Sequence, residues 1–200
     1  MSTDTPVQPI QEAPRTAAEI SGRFDPSQDA RSLLRKDLAP KAYFERLLES
    51  GVYKDAVRFT ARWLSKREAV WWGCLCAWDR DRPDPDEKRD HALRAAVRWV
   101  LDPSEENRQA ARTVGKTAGA GTPAGGVALA AFYSGGSMSY PDLPEVEPPE
   151  DLTAQTVAAA VNLAAHPERP SEKNDRLRQF LRLGLEVALG KNRGEQGPPK

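Results

Sequence analysis

The side chains able to do chemistry are few and do not converge. Cys74-Leu75-Cys76 is the obvious suspect for metal or redox work. Residues i and i+2 on a helix lie about 200° apart, so the two thiols point to opposite sides and cannot chelate one ion. No second Cys or His pair follows at zinc-ligand spacing. Both thiols therefore read as buried structural groups. His91 and His166 stand alone. His91 follows Asp90 near a helix start, and His166 sits at a helix end, where a protonated ring suits the negative pole of the dipole. No Ser/His/Asp spacing, His-Glu-x-x-His or phosphate-binding glycine motif is present. No catalytic residue, metal ligand or cofactor is assigned.

One loop stands out: Phe132-Tyr133-Ser134-Gly135-Gly136-Ser137-Met138-Ser139-Tyr140. Glycines among serines, flanked by aromatics, offer backbone N–H groups to an anion or a partner. The plainer reading is a helix C-cap running into a proline-rich segment. The sharper expectation is a docking surface for another protein. It comprises Tyr133, Ser134, Gly135, Gly136, Ser137, Met138 and Tyr140, beside Asp142, Glu145 and Glu147. Bulky charged residues at Gly136 and Met138 are then expected to abolish partner capture with helicity intact. The alternative is an enzyme or small-ligand site around Glu68, Trp71, Trp72 and the 134–137 loop. Glu68 would act as a base there if buried, although helix capping already explains it.

The elements that position these groups read as helices. Asp25-Pro26-Ser27-Gln28, Asp84-Pro85-Asp86-Glu87 and Asp102-Pro103-Ser104-Glu105 share one start signal. Asp caps, Pro takes the first helical position and Gln or Glu reaches back. Ser65 with Glu68, Pro40, and Thr122-Pro123 mark further starts. Gly51, Pro83 and Gly135-Gly136 mark stops. β-branched alternation is missing. The expectation is an all-α single bundle of about seven to nine short helices, antiparallel to their neighbours. Its central helix, 66–78, is rich in Trp and apolar nearly all round. The 52–64 helix reads as an ordinary surface helix with Lys54, Asp55, Arg58 and Arg62 on its polar side; the 103–118 helix reads as peripheral. Alanine-rich 124–133 and 152–165 are expected to pack on each other. The domain spans 25–189, with an acidic proline-rich linker at 141–150. Residues 1–24 read as a disordered tail and 190–200 as a flexible one.

Charge narrows the partners. The 29 Lys and Arg balance 29 Asp and Glu, leaving no electrostatic footprint for nucleic acid or an acidic membrane. The basic helix face of Arg176, Arg178 and Arg182 is interleaved with Glu172, Asp175 and Glu186, as on a solvated surface. Residues 117–141 carry no charge, but glycines and prolines interrupt them. A span needs about 20 apolar residues. The start of the chain lacks the basic residues and apolar run of a signal peptide. The expectation is a soluble protein of the reducing cytoplasm.

Several segments together carry a resemblance. They are Glu68-Ala69-Val70-Trp71-Trp72-Gly73-Cys74-Leu75-Cys76-Ala77, Trp99-Val100 with Asp102-Pro103-Ser104-Glu105-Glu106-Asn107-Arg108, and Thr122-Pro123-Ala124-Gly125. Ala130-Ala131-Phe132-Tyr133-Ser134-Gly135-Gly136-Ser137, Leu152-Thr153-Ala154 and Ala158-Ala159-Ala160-Val161 complete the set. Over roughly 40–190 the chain resembles an uncharacterised family of small bacterial proteins encoded near type VI secretion genes. The resemblance implies a bacterial source and a role around a secretion apparatus, and no catalytic residue. The leading expectation is a non-enzymatic adaptor or accessory protein with another protein as partner.

Overall fold

The structure, a computed structural model, describes residues 16–82, 86–140, 142–166 and 172–192. Among them are ten α-helices and no strand. They are α1 (Ala17–Ser21), α2 (Gln28–Leu33), α3 (Pro40–Glu49), α4 (Tyr53–Trp63) and α5 (Lys66–Asp81). The second half holds α6 (Glu87–Leu101), α7 (Glu105–Ala118), α8 (Pro123–Phe132), α9 (Leu152–Ala164) and α10 (Lys173–Ala188). The all-α bundle is as expected; the two short N-terminal helices raise the number.

Two helices share the centre. α5 buries an unbroken run from Ala69 to Ala77 and packs on α4, α6, α8, α9 and α10. Inside it the indole N–H of Trp72 donates to the carbonyl of Phe180 at 2.7 Å. Burying a ring and pairing its N–H removes the cost of a lone polar atom in the core. α8 lies in the uncharged stretch and buries every residue from Ala124 to Phe132 against α5, α6, α7 and α9. No described helix is long and apolar enough to cross a membrane. The alanine-rich α8 and α9 do pack together. A Cβ built on Gly126 would stand 3.1 Å from the Cβ of Ala160, so a small residue there lets the axes approach.

The shared Asp-Pro start signal is displaced. The caps are Ser27, Asp86 and Ser104, whose side chains accept from the N–H of Ala30, Arg89 and Asn107. Each cap lies two residues beyond the Asp that was expected to cap. A residue before proline is held extended, and the short side chain after the proline takes over the N–H groups. Asp84 and Pro85 lie outside the described residues. Ser65–Glu68, Thr122 and Pro40 sit as expected.

Residues 16–24 correct the tail reading. Thr16 and Glu19 form a capping box, and Ala17, Ile20 and Ser21 are buried. The signal was legible as Thr16-x-x-Glu19 ahead of Ile20. The same segment overturns the surface reading of α4. The N–H of Ser27 donates to Asp55 Oδ1, and Arg58 and Arg62 donate to the carbonyls of Asp25 and Arg23. Asp55 and Arg62 are buried as a result.

Candidate functional site

The loop between α8 and α9 is held from the core side by arginines of α7. Arg108 is 4 % exposed. Its Nε and Nη2 donate to Glu105 at 2.6 and 2.7 Å, a two-pronged pair. Nη1 donates to the carbonyl of Phe132 at 2.7 Å and Nη2 also to that of Ser137 at 3.0 Å. One turn on, Arg112 donates to the carbonyls of Met138 and Ser139 at 3.0 and 3.3 Å. Its guanidinium lies 4.7 Å from the Phe132 ring centre and 4.5 Å from that of Tyr140. Such contacts add cation–π attraction to hydrogen bonding. The hydrogen bonds from Arg108 hold the Glu105 carboxyl below the usual carboxylate range. α7 is thus a structural clamp, not a peripheral helix. The spacing Arg108-x-x-x-Arg112, with Ala111 and Gly115 buried on the same helix, was the sequence signal.

Every expected docking residue lies in this loop, in different roles. Tyr133 packs on Phe132, and its carbonyl accepts from Thr153 Oγ1. The Ser134 carbonyl accepts from Lys66 Nζ at 2.8 Å. Gly136 has φ +60°, and a Cβ there would stand 2.8 Å from Arg108 Nη2. A bulky charge at Gly136 would dislodge the clamp, so it is not the clean surface probe the sequence suggested. Ser137 Oγ accepts from the N–H of Ser139 and of Val146, and the N–H of Met138 donates to the carbonyl of Val146. The loop closes on itself and presents Tyr140, Leu143 and Val146, exposed by 60, 57 and 50 %. Asp142, Glu145 and Glu147 stand exposed beside them. Leu143 and Val146 were missed because the sequence read them as linker. Pro141 lies outside the described residues.

The alternative site divides. Trp72 is sealed in the core, and Glu68 is exposed, its Oε2 accepting the N–H of Ser65. An open cleft of about 810 Å³ is lined by Glu68 and Trp71 with Arg67, Val100, Val187 and Asn192, but includes neither Trp72 nor the loop. Arg67 is committed there to the carbonyl of Val100 and the Trp71 indole to Asn192 Oδ1. Cys74 and Cys76 are free and buried, and burial pushes both thiols up. Among the described residues no group of three His, Cys, Asp or Glu is placed to hold a metal ion. His91 and His166 are exposed.

These features define an all-α bundle whose prominent surface feature is a closed loop carried on the buried Arg108 and the half-buried Arg112. Residues 43–188 match a family of unknown function (DUF6931), and the chain belongs to that family. No curated protein and no solved structure matches it.

Proposed function

We propose that this protein is a non-enzymatic interaction protein that docks another protein through the 133–147 loop. We place it as an accessory of a bacterial type VI secretion apparatus, on the resemblance set out above. The observation that carries the docking reading is the exposed trio Tyr140, Leu143 and Val146 on a backbone-pinned loop. Apolar side chains in a fixed arrangement lose little entropy on binding. The acids Asp142, Glu145 and Glu147 favour a partner with an apolar hollow and a basic rim.

The test places a photo-crosslinking residue at Leu143 in the full chain, identifies the adduct, and measures binding of the purified pair. A Leu143→Asp/Val146→Asp variant is expected to bind at least about tenfold more weakly, at an unchanged unfolding midpoint. Equal affinity overturns the reading. A second reading, a small-ligand site at the Glu68–Trp71 cleft, is favoured by its volume of about 810 Å³.

A further inference from the structure

The second buried arginine lacks what the first possesses. Arg62 is 5 % exposed, yet no carboxylate oxygen lies within hydrogen-bonding distance of it. Its Nε and Nη1 donate to the carbonyls of Arg23 and Arg58 at 3.3 and 3.1 Å. The nearest acid, Asp151, stands 3.9 Å from Nε, and Phe24 covers one face at 5.1 Å. Nη2 makes no hydrogen bond with any described residue. Burial pulls the guanidinium below its ordinary range, with the neighbouring Arg58 and Arg23 adding to that and Asp151 opposing it. Buried charges are ordinarily paired, because an unpaired one has lost its hydration without replacement.

Arg62 lines an open cleft of about 410 Å³ between α4, α9 and residues 23–25. Arg23, Asp25 and Arg58 line it too, and Gln155 and Asn162 face it from α9. Gln155 is exposed and its side chain makes no hydrogen bond with a described residue. The Asn162 amide nitrogen is committed to the carbonyl of Ala158, which leaves its oxygen. None of the acids nearby contacts Nη2, although Asp151 Oδ1 is buried without a hydrogen bond. Asp55 accepts from the N–H of Ser27 and lies 3.7 Å from Arg58. Asp151 and the exposed Glu150 both meet Arg23 at 2.7 Å, and Asp25 is paired with Arg31. Three guanidinium groups thus line a cleft whose one lining carboxylate among the described residues, Asp25, is paired with Arg31.

We propose that this cleft binds a compact oxyanion, a phosphate or a carboxylate group, on Arg62 Nη2 with Arg58 and Gln155 beside it. The forked guanidinium matches the oxygen geometry of both groups. The site is separate from the docking loop and holds whether or not that loop binds a partner.

The test follows thermal unfolding and titration calorimetry of the full chain with inorganic phosphate and, separately, acetate, each against sodium chloride at matched ionic strength. The midpoint is expected to rise with at least one of the two anions beyond the chloride control, since a ligand of the folded state stabilises it. The anion with the larger effect identifies the chemistry. Gln155→Glu supplies a carboxylate from within the chain, on an exposed helix face where folding is not at risk. It is expected to raise the starting midpoint and to weaken anion binding by about tenfold or more. Neither anion exceeding chloride overturns the proposal, and so does an anion response that Gln155→Glu leaves unchanged.

Discussion

Arg108 and Arg62 are two guanidinium groups buried to almost the same degree, and they sit in opposite chemical circumstances. Arg108 meets a carboxylate with two prongs and closes two backbone carbonyls of the loop. Arg62 meets two carbonyls and a distant acid, leaves Nη2 without a hydrogen bond to a described residue, and lines a cleft. The first is a structural fastener with every guanidinium nitrogen bonded inside the chain. The second retains binding capacity for something outside it. Burial alone therefore does not classify a charged side chain; the count of committed donors does.

The largest effect that would break this contrast is expected from Arg108→Ala. It strips the buried carbonyl of Phe132 and the carbonyl of Ser137 of their donors, at about 3 kcal/mol of stability, read as a shift of the urea midpoint. A loss under about 1 kcal/mol would remove the distinction. Gly136→Val comes next. It combines a left-handed backbone with a clash on the Arg108 guanidinium and is expected to cost about 2 kcal/mol by the same measurement. Arg62→Met is expected to stay within about 1 kcal/mol of the wild type, because an apolar chain of similar length removes a desolvated charge. Its phosphate or acetate response is expected to vanish.

The smallest effect concerns pH. The Glu105 carboxyl is held below its unfolded value, so it stabilises the fold above the unfolded carboxylate range. That contribution is lost as pH falls through the lowered value. Glu105 is exposed, so screening keeps the effect to a few tenths of a kcal/mol, on the order of a surface pair. The stability gap between wild type and Glu105→Gln is expected to narrow between neutral pH and about pH 3, in urea unfolding series.

Local signals in the chain predicted its helices well where capping is an affair of four neighbouring residues. Ser65 and Glu68, Thr122 and Pro123, and the glycine after α3 behave as their types require. The Asp-Pro signal failed by two residues because polar side chains on either side of the proline compete for the same N–H groups, and backbone restriction before proline decides the winner. The loop between α8 and α9 falls where the glycines after Phe132 place it. Its exposed apolar trio was not, since Leu143 and Val146 gain significance only when Met138 and Val146 pair across eight residues.

The order of residues by itself settled that this chain is helical and where most of its helices begin and end. Those are properties of neighbours within a few turns. Only the tertiary structure decided which charges are buried, because Arg62 becomes enclosed when residues 16–25 fold over α4, and Arg108 when α8 delivers the loop to α7. Desolvation is set by what arrives from far along the chain, and no local pattern carries that information.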